Sequence, residues 1–182
     1  NAFYQILPIN PDFVSVTNDD FIYRTESWDL KLISRIVSSG KPGIAYGNDL
    51  CAGINMPTTS VISAQIPIAL GWLQLPTLTH LFGDNVVSTI GRKLNILHYC
   101  QNVIIEHNHY FRDRSLEDDI YRKTNSKEMY KKDLKAFMDW VENNMKNDLE
   151  SIRKVVDGFS QTHNKEDESK RKELPNVWET VL

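Results

Sequence analysis

Residues 12–20 read Asp-Phe-Val-Ser-Val-Thr-Asn-Asp-Asp (DFVSVTNDD). Asp12–Thr17 is a short run rich in β-branched and aromatic residues, and it stops at the polar cluster Asn18, Asp19 and Asp20. That pattern predicts a buried strand delivering acidic side chains at its carboxyl end. The strand would fix their position, and the loop would leave their oxygens free. Two adjacent carboxylates held this way can bind a divalent cation that bridges a diphosphate. An acidic turn has the same composition, so the reading depends on what surrounds it.

Downstream, Glu26–Ser39 places Trp28, Leu32, Ile33 and Ile36 on one helical stripe. Gly40 stands where a helix-terminating glycine belongs, and Pro42 follows. Gly43–Gly47 (GIAYG) reads as a second strand, and Asn48–Thr59 as a turn-rich loop with Gly53, Asn55 and Pro57. Ser60–Ile66 reads as a third strand, and Ile68–Trp72 suits a short helix. Asp84–Leu94 (DNVVSTIGRKL) predicts a helix with Asp84 near its amino terminus, where unpaired N–H groups favour a carboxylate. Short strands are expected at Leu97–Tyr99 and Val103–Glu106, the latter running into His107-Asn108-His109. Alternating strand and helical runs predict an α/β core. The runs at 12–17, 43–47, 60–66 and 103–106 are expected to share one mixed sheet flanked by helices.

Two further constellations carry chemistry. In an extended segment, residues two apart point to the same side, so His107 and His109 can face one site. Imidazole is a good ligand for transition metals, although two solvated histidines at a strand end look the same. Glu106 points the other way. Asp84 at a helix start can take a proton from an attacking hydroxyl, or serve only as a cap.

The order of these features resembles a family-2-like glycosyltransferase of the GT-A fold. The series is FVSVTNDD, then IALGW (68–72), then HLFGDNVVSTIGRKLNILHY (80–99), then NVIIEHNH (102–109). The resemblance covers Asp12 to about His109. It implies metal-dependent transfer of a sugar from a nucleotide-sugar donor to a hydroxyl acceptor, with Mn²⁺ or Mg²⁺ as cofactor. It makes Asp20 the leading metal ligand, with Asn18 and Asp19 on the donor diphosphate side. His107 completes the metal set, with His109 as the alternative. Asp84 matches the base, and Gly71 with Trp72 matches the pair beside the acceptor. The chain departs from the family by having Asn-Asp-Asp where Asp-x-Asp is expected, and Gly-Asp where Glu-Asp is common. Little of the strand–helix–strand nucleotide-binding half precedes Asp12. The chain is therefore expected to be part of a longer one, or a degenerate glycosyltransferase-like binding or structural module. Carboxylates with histidines also suit a metal-dependent phosphodiester or nucleotidyl enzyme.

Bulk properties narrow the classes. The chain has 182 residues, 41% hydrophobic and 25% charged, with a formal net charge of -3. Those are ordinary values for a soluble domain, and no basic field exists to hold nucleic acid. Two distant cysteines, Cys51 and Cys100, give no zinc or disulfide framework and suit a reducing, cytoplasmic setting. No apolar run reaches the roughly 20 residues of a membrane span, and no signal peptide is evident.

After Arg112 charge rises and glycine becomes rare. From Ser126 to Val156, Tyr130, Leu134, Phe137, Val141, Met145, Leu149, Ile152 and Val156 step by threes and fours. This predicts one long amphipathic helix, packed on its own domain or available for self-association or partner docking. His163–Lys172 is a mixed-charge run that reads as a linker. The expected organisation is 1–112 as the glycosyltransferase-like region, 113–160 as a helical extension, and 161–182 as linker and terminal segment.

Overall fold

The computed structural model describes residues 10–108 and the backbone of 119–170, with side chains of the second stretch described from 122 to 158. Its centre is a five-stranded mixed sheet in the order β1-β4-β3-β5-β2. The strands are β1 (Phe13–Val16), β2 (Phe21–Tyr23), β3 (Ile44–Asn48), β4 (Ser60–Ser63) and β5 (Leu97–His107). β4 pairs antiparallel with both β1 and β3, β3 pairs parallel with β5, and β5 pairs antiparallel with β2. β1, β3 and β5 therefore run the same way, and their carboxyl ends lie at one end of the sheet. The four expected runs do share this sheet.

Helices cover both faces. α1 (Trp28–Val37) lays Leu32 and Ile36 on one face, against Ala45, Val61, Val103, Ile105 and Phe21. The opposite face carries Val14, Ile44 and Ile62. There they meet Val86 and Ile90 of α3 (Gly83–Lys93), and Trp140, Ile152 and Val156 from the helices near the C-terminus. β3 lies between the two layers, with Ile44 through Gly47 all buried. This is why its sequence reads as an uninterrupted apolar run.

β5 is one strand of 11 residues where two short ones were expected. Its pairing with β3 is regular from Ile44↔Leu97 to Gly47↔Cys100, and then jumps to Asn48↔Ile104. The extra residues on β5 form a bulge, which turns the second half of the strand toward β2. Gly47 makes the bulge feasible, because a Cβ there would lie 2.5 Å from the Val103 carbonyl oxygen. The β2 strand was not anticipated; three residues are too few to show a period.

Smaller differences have local causes. The third strand ends at Ser63 rather than Ile66, and helix α2 (Gln65–Leu70) begins earlier than expected. Pro67 fits within its first turn, where no helical N–H is needed. The amphipathic stretch from Ser126 is two helices, not one. After the short α4 (Asp119–Thr124) come α5 (Lys127–Asn143) and α6 (Met145–Lys170), separated at Asn144 with φ -121°. Consecutive Asn143 and Asn144 have side chains that compete with helical backbone bonds. Trp140 Nε1 donates to Asp148 Oδ2 at 2.7 Å and ties the two helices across the break. The expected start is correct, for Ser126 Oγ accepts from Met129 N. The stripe itself packs inward, with Phe137, Val141, Met145 and Leu149 against the second core. α6 continues through Lys170, into the charged run read as a linker. Among the described residues, no helix is long and apolar enough to cross a membrane.

Candidate functional site

The shared direction of β1, β3 and β5 brings three acidic or basic segments to one end of the sheet. The loop after β1 holds Asp20, the end of β3 leads into Asp49, and β5 ends at His107. Backbone bonds lock them together. Asn108 N donates to Asp20 O at 2.9 Å, and His107 N donates to Asp49 O at 3.0 Å. β2 pairs Phe21 with His107, and their rings lie 4.5 Å apart. This tilted ring contact leaves the imidazole pointing back at Asp20, the residue before Phe21. His107 Nε2 then lies 3.0 Å from Asp20 Oδ2, a contact between residues 87 apart in sequence.

The two side chains are hydrogen-bonded at this distance, and the same pair could hold a cation. Two ligands at about 2.1 Å from one octahedral ion, at right angles, stand about 3.0 Å apart. Asp20 also has a second oxygen, Oδ1, which is buried and has no hydrogen-bond partner among the described residues. A buried carboxylate oxygen without a partner is costly unless something positive meets it. Asn18 and Asp19 are exposed in the turn just before Asp20. His109 lies outside the described residues. Among the described residues no group of three or more His, Cys, Asp or Glu side chains gathers to hold a metal. Asp20 and His107 are the described side chains here that could hold one.

Asp49 was missed in the sequence, although it repeats the signal of residues 12–20: a polar pair, Asn48-Asp49, directly after an apolar strand. Its side chain is buried and fully engaged. Oδ1 accepts from the backbone N–H groups of Cys51, Ala52 and Gly53 at 2.9, 2.8 and 2.7 Å, and Oδ2 accepts from Thr58 Oγ1 at 3.0 Å. These four contacts fix the position of its negative charge.

That charge reaches Asp84. Asp84 occupies the first turn of α3, as expected, but it is not the cap. The cap position is Phe82, which has φ 68° and makes no side-chain cap bond. Burial pushes the Asp84 carboxyl up to about 7, with the negative charge of Asp49 adding to the effect. A carboxylate titrating near neutrality is suited to accept a proton at physiological pH. Asp49 thus joins the two halves of the site. Its carbonyl accepts from His107, and its carboxylate acts on Asp84.

Gly71 ends α2 in the left-handed conformation, with φ 76°, and its N–H bonds to Pro67 O and Ile68 O. Trp72 packs against the core that α3, α5 and α6 also cover. Their positions account for them locally as a helix terminator and a core aromatic. A separate cavity of about 300 Å³ is lined by Tyr46, Ile54, Gly91, Arg92, Asn95, Leu97 and Tyr99. It lies at the far end of α3 from Asp84 and holds none of the residues singled out from the sequence.

Compared with known proteins, the chain matches no family model, no curated protein and no solved structure. The functional reading therefore rests on the residues and their geometry.

Proposed function

We propose that this chain carries the metal and acceptor side of a GT-A-type glycosyltransferase. The reaction is transfer of a sugar from a nucleotide-sugar donor to a hydroxyl acceptor. The observation that carries the reading is the Asp20–His107 contact, which connects through Asp49 to a near-neutral Asp84. In this reading Asp20 and His107 hold Mn²⁺ or Mg²⁺, with Asn18 and Asp19 in the turn beside the diphosphate. A bound divalent cation supplies charge neutralisation to the departing nucleoside diphosphate.

The remaining chemistry belongs to the chain. Asp84 accepts the proton of the acceptor hydroxyl as that oxygen bonds to the anomeric carbon and the sugar–phosphate bond breaks. Burial, with the Asp49 charge adding to it, keeps the carboxylate basic enough to do this. A single base suits inversion at the anomeric centre. Gly71 and Trp72 stay on the acceptor side only by resemblance. A cytoplasmic setting accords with two free thiols, Cys51 and Cys100. The packing of the α5–α6 stripe against its own domain favours an intramolecular role for these helices over partner docking.

The test is a thermal-shift panel of nucleotide-sugars with and without Mn²⁺, on the longest natural chain. Stabilisation by a nucleotide-sugar only when Mn²⁺ is present supports the reading. Equal shifts without metal, or none with any donor, sink it.

A further inference from the structure

Helix α5 holds the loop in front of Asp84 from two sides. Asp133 is completely buried, at 0% exposure. Its carboxylate accepts from three consecutive backbone N–H groups: Thr79 N to Oδ1 at 3.1 Å, and His80 N and Leu81 N to Oδ2 at 2.8 and 2.7 Å. Successive N–H groups turned to one point form an anion-holding concavity, and here the anion comes from the protein itself. Burial pushes the Asp133 carboxyl up, but the amides of His80, Leu81 and Thr79 outweigh it and hold the group below the ordinary carboxylate range. The next residue is Phe82, whose φ of 68° is unusual for an aromatic side chain. Its ring meets Tyr130 at 5.3 Å and Phe137 at 5.7 Å between centroids. Tyr130, Asp133 and Phe137 are spaced three and four residues apart and so share one face of α5. Helix α3 begins at the following residue, and Asp84 is its second.

We propose that Asp133 is a positioning residue for Asp84: it gathers the Thr79–Leu81 turn and, with Tyr130 and Phe137, fixes Phe82 in the conformation from which α3 starts. The C-terminal helices then belong to the site as its support, rather than being an appendage. The role rests on reading Asp84 as the base.

The test uses the full chain and begins without any variant. The amides of His80 and Leu81 lie outside helix and strand, yet they should exchange as slowly as those in the first turns of α3. Rapid exchange in the wild type would mean that the clamp is not formed in solution, and would overturn the proposal. Asp133→Asn keeps one acceptor oxygen for three N–H groups and sets an NH₂ donor against the rest, so protection within 79–81 should fall and the Asp84 carboxyl ¹³C signal should move. The turnover kcat should fall by about 10²-fold, the scale of a small misplacement of a reacting group, with metal-dependent donor affinity unchanged. The double variant Asp84→Asn/Asp133→Asn should be no slower than Asp84→Asn alone, because one residue acts through the other. A full further loss in the double variant would overturn positioning. If Asp133→Asn does not fold, Phe137→Leu, which keeps an apolar filler, should loosen Phe82 and move the same Asp84 signal. If the wild type transfers no sugar, the functional reading fails. The exchange and ¹³C measurements then still decide whether Asp133 sets Asp84, and an unmoved Asp84 signal refutes it.

Discussion

Asp84 is subject to opposing local forces. The first turn of a helix favours a carboxylate by about 0.3–1 kcal/mol. Burial and the Asp49 charge work against it and win, leaving the group at about 7. The sign of the consequence follows from linkage. The folded chain keeps a proton that the unfolded chain releases near the ordinary value of 3.8. The resulting stability is complete below about pH 4, declines as pH rises toward 7, and is gone above it. Asp84→Asn never carries the charge. Its melting temperature should match the wild type near pH 4 and exceed it at pH 8, by at least about 1 kcal/mol, or about 2–4 °C. Equal melting temperatures at pH 8 would show an ordinary, well-solvated carboxylate. The same variant should lose about 10²- to 10⁴-fold in sugar-transfer turnover. The wild-type rate should rise about tenfold per pH unit below 7 and level off above it. Asp20→Asn should behave differently, weakening Mn²⁺-dependent donor binding, which a calorimetric titration with and without metal would read.

At the scale of elements, the bulge in β5 sets the site. It lets one strand pair with β3 and β2 in turn, and so brings His107 to Asp20. Gly47→Ala forces a methyl against the Val103 carbonyl and should cost about 1–3 kcal/mol, measured by denaturant unfolding. His107 should also lose ring contact with Phe21, visible as a shift of its imidazole resonances. The bulge also explains what the sequence could and could not reveal. The β1 run, the α1 stripe and the start of α5 were legible because each carries a period or a cap within a few residues. Asp20, His107 and Asp84 were legible as candidates because each stands at the end of such an element. The bulge was not, because Gly47 and Val103 meet only in three dimensions. Asp49 was hidden in a loop of glycine, asparagine and proline, where an acidic residue is ordinary. Asp133 was not legible, since nothing near it in sequence announces three amides from residues 79–81. The break at Asn144 was masked by an apolar stripe that continues unbroken across it.

At the scale of the molecule, each face of the sheet has its own core, and the two are closed by different parts of the chain. Among the described residues, the buried members of the core under α1 run from Phe21 to Ile105. The other waits for Trp140, Ile152 and Val156. Trp140→Ala should therefore destabilise by about 3–5 kcal/mol and disorder the α3 side first, which amide exchange mapped by residue would show. Chains grow from the amino terminus at about 5–20 residues per second. The Thr79–Leu81 amides consequently emerge from the ribosome well before the carboxylate that will bind them, as does the apolar side of the sheet before its cover. During synthesis the nascent chain presents a half-covered sheet and an unanchored turn, and Asp84 takes up its final bearing only after α5 and α6 have been released to fold.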